Sequence, residues 1–258
     1  YFGSFHQGVI KKDNSDTFSF FDQTNTGNNG LEGINYNEHI RIGALAFDKN
    51  QNLWVMNTRS PKALKVLKSN GNWESYSLTG IANTLQIEAY REILIDKNST
   101  KWFTTFFNGV IGFNENYANK FLKIANSPSS AVLPTNDVRA IAIDHNNQLW
   151  IGTASGLRVS PSVDRFINDN SLTANPIIIL EDGLAQELFY EQFINDIEVD
   201  GSNNKWVSIS GSGVFQISPD GQEVLNRFTV ENSPLPSNRV NDIEINGVNG
   251  EVFFATDK

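Results

Sequence analysis

The chain has no cysteine, a single methionine and no apolar run long enough to cross a membrane. The absence of cysteine excludes a disulfide framework and a thiol nucleophile. The most apolar stretch, NPIIILEDG (Asn175 to Gly183), is far shorter than the ~18 residues of a membrane helix, and it predicts a buried strand. The 258 residues must therefore be stabilised by a packed core.

Basic residues are also in short supply. Lysine and arginine number 20 against 29 acidic residues, which gives a net charge of −9. A field of this sign repels phosphate backbones, so nucleic acid is not an expected partner.

A tryptophan motif recurs along the chain. Its units run from an aspartate through a polar turn to an apolar residue and tryptophan, as in DKNQNLWVMNT (Asp48 to Thr58) and DHNNQLWIGTASGL (Asp144 to Leu157). Trp54, Trp102, Trp150, Trp206 and then Phe253 follow one another at intervals of 48, 48, 56 and 47 residues. These intervals are close to the ~40–50 residues of a four-stranded propeller blade.

Alternating apolar residues predict strands within each repeat. RAIAID, LWIGT and GLRVS follow one another across short turns, which indicates two hairpins per repeat. One strand recurs in every repeat, and its apolar residues are expected to pack between neighbouring blades. They are Leu45, Ile93, Ile141, Ile197 and Ile243, beside Phe47, Ile95, Ile143, Val199 and Ile245.

These patterns predict an all-β chain, a β-propeller of four-stranded blades. About five repeats are present, and because propellers have roughly 4–8 blades, we expect them to be part of a larger ring. Residues 1–258 are interpreted as one run of propeller repeats, entered and left in mid-blade, and hence as a piece of a longer chain.

The repeated motif itself is interpreted as structural. The Asp-x-Asn turns resemble the start of a calcium loop, but they lack the glycine and distant glutamate of an EF-hand and are typical of Asx-turns. The tryptophans keep one phase within an apolar strand, so buried wedges are favoured over a sugar-stacking platform. His6, His39 and His145 fall at unrelated phases without metal-ligand spacing, so no metal site is predicted.

Catalysis finds little support in the sequence. Asp196 with Glu198 and Asp242 with Glu244 form carboxylate pairs at the same phase, which allows glycosidic acid–base chemistry. Such carboxylates more often bond neighbouring arginine or backbone groups. We therefore predict a protein that is not an enzyme and uses no cofactor.

One position in the repeat carries residues that favour ligand binding. Five residues before each turn aspartate, where the inner strand begins, the repeats carry Gly43, Arg91, Arg139, Asn195 and Asn241. Together with Arg41 and Arg239, these side chains are predicted to form a ring of donors at a channel mouth, suited to an anionic or hydroxyl-rich ligand. The alternative is that they satisfy one another and the adjacent carboxylates.

The segment LPTNDVRAIAIDHNNQLWIGTASGL (Leu133 to Leu157) resembles the two-component regulator propeller repeat, whose pattern ends in LWIGT-x-x-GL. ENSPLPSNRVNDIEIN (Glu231 to Asn246) repeats its loop. IRIGALAFDKNQNLWVMN (Ile40 to Asn57), LKSNGNWESY (Leu67 to Tyr76) and the terminal VFFATDK resemble one branch more closely, the propeller-bearing accessory proteins of the Bacteroidetes type IX secretion system.

This resemblance implies a periplasmic or cell-surface protein, associated with the outer membrane, whose partners are secretion-complex proteins or an anionic glycan such as lipopolysaccharide. The long loops from Thr24 to His39 and from Asn168 to Gln192 depart from the minimal repeat and are expected to carry specificity. The alternative is the periplasmic, oligosaccharide-sensing propeller of a hybrid two-component regulator.

Overall fold

The computed structural model describes residues 1–34, 39–82, 88–127, 130–181 and 183–258. Regular structure in this part of the chain is almost entirely β-strand, and it holds no helix with the length and hydrophobicity of a membrane span. The chain divides into two compact units, the first comprising Tyr1–Asn108 and Gly112–Phe121 and the second Gly109–Ile111 and Leu122–Lys258.

Strands β1 to β11 form three successive antiparallel sheets in which each strand pairs with the next. The first sheet consists of β1 (Phe2–Gly3), β2 (Val9–Lys12) and β3 (Phe18–Phe21). The second consists of β4 (Arg41–Phe47), β5 (Leu53–Thr58), β6 (Leu64–Leu67) and β7 (Trp73–Tyr76). The third consists of β8 (Ile93–Ile95), β9 (Lys101–Thr104), β10 (Val110–Asn114) and β11 (Lys120–Ile124), with a 3-10 turn at Glu115–Tyr117.

The remaining strands continue the same plan. A short ladder joins β12 (Asn126–Ser127) to β13 (Ser130–Ala131), and the fourth sheet consists of β14 (Val138–Ile143), β15 (Leu149–Thr153) and β16 (Gly156–Ser160). After helix α1 (Arg165–Asn168) and a hairpin of β17 (Ile178–Glu181) and β18 (Leu184–Glu187), the fifth sheet consists of β19 (Ile194–Val199), β20 (Lys205–Ile209), β21 (Gly213–Ile217) and β22 (Val224–Phe228). Strands β23 (Val240–Ile245) and β24 (Val252–Thr256) form the last pair.

This succession of antiparallel sheets, several of them four-stranded, confirms the all-β fold built of propeller blades. The fourth sheet departs from the plan because the long loop replaces its outer strand. In place of that strand, Asn175 forms a β-bridge with Val159 on β16, and the backbone N–H of each residue donates to the carbonyl oxygen of the other at 2.9 Å.

The prediction of a buried strand within NPIIILEDG is wrong in its burial. Strand β17 does form in this segment, but Ile178 is 50% exposed and Leu180 is 79% exposed. Among the described residues the strand pairs only with β18 in a two-stranded hairpin, so Ile178 and Leu180 lack a second packed layer that would cover them.

Four of the five residues predicted to pack between blades are buried, and the fifth, Leu45, is half-buried. Ile93, Ile141, Ile197 and Ile243 are at most 4% exposed. In the second unit, β14 contacts β19 and β19 contacts β23, so these side chains lie between consecutive blades. The second row is less buried, because its members stand next to the turns, and Phe47 is 48% exposed.

Three of the four tryptophans in the repeated motif are buried wedges, as expected. Trp54, Trp102 and Trp150 are at most 1% exposed, whereas Trp206 is half-buried and Phe253 is 55% exposed. Each indole donates its Nε1–H to the Oδ2 atom of the aspartate six residues earlier. The distances are 3.0 Å for Trp54 to Asp48, 2.9 Å for Trp102 to Asp96, 3.1 Å for Trp150 to Asp144 and 3.1 Å for Trp206 to Asp200.

Buried lysines reinforce this arrangement. The Lys205 side chain is fully buried, and its Nζ donates to Asp144 Oδ2 at 3.0 Å while lying 4.4 Å from the Trp150 ring centroid. In the first unit, Lys101 Nζ lies 4.0 Å from the Trp54 ring centroid. A lysine directly before one tryptophan thus contacts the tryptophan of an earlier repeat, which links blades within each unit.

Replacing Trp150 tests the wedge. Trp150→Ala is expected to lower the free energy of unfolding by about 3–5 kcal/mol because it leaves a cavity. Trp150→Phe keeps the ring but removes the indole donor to Asp144, so a loss of about 1–2 kcal/mol is expected. Urea unfolding followed by circular dichroism measures both. The matched control is Trp73→Phe on β7, and equal losses for the two Phe variants would contradict the role of the Asp144 bond.

Candidate functional site

The inner strands begin with β-bulges at the phase that the sequence singled out. The pairing register shifts between residues 42 and 44 in β4, 138 and 140 in β14, 194 and 196 in β19, and 240 and 242 in β23. The skipped positions are Gly43, Arg139, Asn195 and Asn241. A bulge leaves the extra residue unpaired in the ladder and re-aims its side chain, a device often found beside binding sites.

The first unit has two arginines near this phase. A Cβ at Gly43 would lie 2.3 Å from the carbonyl oxygen of Tyr90, which explains why no donor side chain occupies that position. Arg41 instead places its guanidinium 4.2 Å from the Phe5 ring centroid. Arg91 is exposed just before β8, where its backbone N–H donates to Thr104 Oγ1 at 3.2 Å.

In the second unit, two of the predicted donors reach neighbouring groups. Arg139 forms an ion pair with Asp137, and its guanidinium lies 4.7 Å from the Phe193 ring centroid. Asn195 donates from Nδ2 to the carbonyl oxygen of Val240 at 2.8 Å. The ion pair of Arg139 is of the kind that the alternative interpretation describes, in which the donors satisfy one another and adjacent carboxylates, whereas Asn195 bonds a backbone carbonyl of the next inner strand.

The other two donors face solvent. Asn241 is exposed, and Arg239 has a 63% exposed side chain with Nη1 at 3.8 Å from Asp257 Oδ2. The second unit therefore places Arg139, Asn195 and Asn241 at equivalent positions on contacting strands, and only part of their hydrogen-bonding capacity is used internally. That they bind a ligand stays a prediction.

The carboxylate pairs converge on the same strands. Asp196 is 9% exposed, and its Oδ2 accepts the N–H of Ile243 at 2.6 Å. Burial, together with the charges of Asp242 and Glu244, raises the pKa of Asp196 to about 7. Burial and the neighbouring Asp196 likewise raise the pKa of Glu198 to about 7. The carboxylates of one inner strand thus raise the pKa values of those on the next, and Asp196 and Glu198 change charge near neutral pH.

The turn aspartates use their oxygens in the blade. Asp48 Oδ1 accepts the backbone N–H groups of Asn50 and Asn52, both at 2.9 Å, while Oδ2 accepts the Trp54 indole. Burial opposes its ionisation, but the hydrogen bonds from Trp54 and Asn52 outweigh burial and hold its pKa below the usual value. Asp144 and Asp200 repeat the same geometry.

The structure brings two histidines together that their positions in the repeat did not predict to be close. His6 follows β1 and His39 precedes β4, and their Nδ1 atoms are 3.0 Å apart. The two residues lie in loops outside the repeated strands, so their phases carried no information about this contact. Residues 35–38 of the long loop that ends at His39 lie outside the described part.

The second long loop forms an exposed apolar tip. Leu180 and Leu184, on either side of the β17–β18 turn, are 79% and 67% exposed, and Tyr190 is 60% exposed. An ion pair between Arg158 and Glu187 anchors the base of the hairpin to β16. Apolar side chains that protrude from an inserted loop are available for contact with another protein.

Comparison with known proteins adds a family relationship for one segment. Residues 132–155 match the family model described as two component regulator propeller, which covers β14, β15 and their flanks. No curated protein matches the chain in sequence.

Solved structures share the fold. PorZ, a surface component of the type IX secretion system of Porphyromonas gingivalis, is 24% identical with a TM-score of 0.87, and the match covers 99% of this chain and 35% of PorZ. The extracellular domain of a putative hybrid two-component system from B. thetaiotaomicron is 16% identical with a TM-score of 0.52, covering 98% of this chain and 36% of that one. This chain thus spans about a third of the length of either structure.

An enzyme is also among the similar structures. Virginiamycin B lyase from Staphylococcus aureus is 14% identical with a TM-score of 0.54, and the match covers 83% of this chain and 69% of the lyase. At these identities the likeness establishes the β-propeller fold, which hosts both binding proteins and enzymes.

Calcium is expected to have no effect on the turn aspartates, because Oδ1 and Oδ2 already accept hydrogen bonds from the blade. The melting temperature should be the same with calcium and with a chelator. A calcium concentration 100-fold above a dissociation constant would add about 2.7 kcal/mol of stability. A chelator-reversible rise in melting temperature, abolished by Asp144→Asn, would contradict this prediction.

The free energy of unfolding is expected to fall as pH rises from about 4 towards 7. Asp196 binds its proton more tightly in the folded chain than in the unfolded chain, so its contribution is fully present below the unfolded pKa and is lost as pH rises through about 7. Asp196→Asn keeps an acceptor for the Ile243 N–H and should stabilise the protein by about 1–2 kcal/mol at pH ~8. Urea unfolding at several pH values measures this, with exposed Asp16→Asn as control. An unchanged pH slope in Asp196→Asn would refute the assignment.

Proposed function

We propose that this chain is a non-catalytic binding propeller of the cell surface or periplasm, associated with the outer membrane, and that it binds an anionic glycan such as lipopolysaccharide or proteins of a secretion complex. The observation that carries the proposal is the likeness to PorZ over nearly the whole chain. PorZ and the two-component domain are surface or extracellular, which supports the location.

The arginines at the start of the inner strands supply the chemistry. A guanidinium offers a planar fork of donors that matches phosphate or carboxylate better than an ammonium does. Arg91 is exposed in the first unit, and Arg139 lies at the bulge of β14 in the second. The net charge of −9 opposes an anionic ligand, so local arginines must outweigh the field of the whole chain.

A protein partner would find a different surface. The tip of the β17–β18 hairpin exposes Leu180 and Leu184, whose burial against a partner would contribute favourably because apolar area leaves water. The hairpin interrupts the repeat, so it is available for contacts without disturbing a blade.

The alternative function is oligosaccharide sensing by the extracellular propeller of a two-component regulator. The likeness to such a domain and the family match at residues 132–155 both favour it. Both functions are binding functions, and they differ in the ligand: a sensor recognises a soluble oligosaccharide, whereas the secretion accessory recognises an anionic surface glycan.

The test is binding of purified lipopolysaccharide and of a neutral oligosaccharide at low and high salt. Arg91→Ala/Arg139→Ala is expected to weaken lipopolysaccharide binding about tenfold or more, which corresponds to 1.4 kcal/mol or more. Arg91→Lys/Arg139→Lys keeps the charge but loses the fork, so binding should still weaken. Wild-type binding should fall as salt rises.

Arg165→Ala is the matched control, because Arg165 lies on α1 and pairs with Asp169. Equal binding by the wild type and the double alanine variant at every salt concentration would show that neither arginine contributes to glycan binding. Salt-independent binding of the neutral oligosaccharide alone would favour the sensor, and turnover of either glycan by the pure chain would refute a binding-only function.

A further inference from the structure

The His6 and His39 imidazoles form a close pair with no role in the blades. Their Nδ1 atoms are 3.0 Å apart and their ring centroids 4.6 Å apart, with the planes inclined at 62°. Both residues are exposed. From this geometry we propose that the two Nδ1 atoms bind a borderline transition-metal ion, of which Zn²⁺ is the representative.

The backbone fixes both histidines. The carbonyl oxygen of His6 accepts the N–H of Ile40 at 3.0 Å, and that of His39 accepts the N–H of Ile34 at 2.9 Å. The N–H of His6 donates to Ser4 Oγ at 3.1 Å. Because both residues are tied into adjacent hydrogen-bonded segments, their backbones are held close together before any ion arrives, which lowers the entropic cost of binding.

The spacing suits a metal ion. Two imidazole nitrogens bound tetrahedrally to zinc at ~2.0–2.1 Å lie about 3.3 Å apart. The observed 3.0 Å is close to that value, and each ring must turn away from the N···N axis so that both Nδ1 lone pairs aim at one ion. Without a metal ion, one ring donates a hydrogen bond from Nδ1–H to the Nδ1 atom of the other. For both Nδ1 atoms to bind an ion, the donor ring must carry its hydrogen on Nε2 instead, so the pair as a whole loses no proton.

A groove beside His6 leaves room for further ligands. A groove of about 570 Å³ is lined by His6 and Asp22, among others. Hydrogen bonds from Thr24 hold the pKa of Asp22 below its usual value, so the groove keeps a negative charge. Within the described ranges no cluster of three or more His, Cys, Asp or Glu residues is placed to hold a metal, and water must complete the coordination shell.

The charges set the affinity and the choice of ion. The guanidinium of Arg41 lies over the Phe5 ring, and that ring lies 5.1 Å from the His6 ring. The positive charge of Arg41 is therefore near the pair, and it opposes the binding of a cation. Imidazole binds zinc, nickel and copper and is a poor ligand for calcium or magnesium. The site is thus distinct in chemistry from the turn aspartates, and it does not depend on the proposed glycan binding.

The experiment is a calorimetric titration of the chelator-treated chain with Zn²⁺ at pH ~7.5 and at pH ~5, where free imidazoles are protonated. The expected result is one ion per chain at the higher pH and at least tenfold weaker binding at the lower pH. His6→Ala and His39→Ala should each weaken binding at least tenfold. His145→Ala is the matched control, because His145 is exposed but unpaired with another histidine, and it should bind as the wild type does.

Both pair variants are expected to melt at the wild-type temperature without metal, because the two side chains are exposed, and this separates loss of the site from loss of the fold. Zinc binding of equal strength in the wild type and the His6→Ala/His39→Ala variant would overturn the proposal. Loss of binding in His145→Ala, or a wild-type chain that binds no zinc, would overturn it as well.

Discussion

The hydrogen bond between a turn aspartate and a tryptophan of the same hairpin is the constraint on which the blades depend. One carboxylate oxygen closes the turn by accepting two backbone N–H groups, and the other accepts the indole N–H. A buried charge is costly unless it is fully hydrogen-bonded. In Asp48 the hydrogen bonds outweigh burial and lower the pKa, whereas in Asp96 burial outweighs the hydrogen bonds and raises the pKa. The two opposing effects are therefore close in size at these turns.

The repeat could be predicted because its information is local. The spacing of six residues from aspartate to tryptophan is visible in the sequence, and so is the alternation that buries Ile141 and Ile197. What could not be predicted depends on contacts between distant segments. No local pattern reveals that β17 lacks a covering layer or that His6 meets His39 across 33 residues of chain.

The same interaction restricts where binding can occur. The aspartates and tryptophans that repeat most faithfully have their polar atoms occupied within the blade, so they are poorly suited to a ligand. The residues that differ between repeats lie instead in the inserted loops and at the bulges, where the residue is glycine, arginine or asparagine. A bulge lets each blade present a different side chain without changing the pairing that follows it, which separates recognition from folding.

Positively and negatively charged side chains lie close together on the inner strands of the second unit. Arg139 is paired with Asp137, while Asp196 follows Asn195 directly and shares its environment with Asp242 and Glu244. Since the pKa of Asp196 and that of Glu198 lie near 7, these strands become less negative as the medium becomes mildly acidic. An anionic ligand at the bulges would experience that change directly, because the titrating carboxylates stand next to the donor positions. The predicted donor positions of the second unit therefore lie beside carboxylates whose pKa values burial has raised.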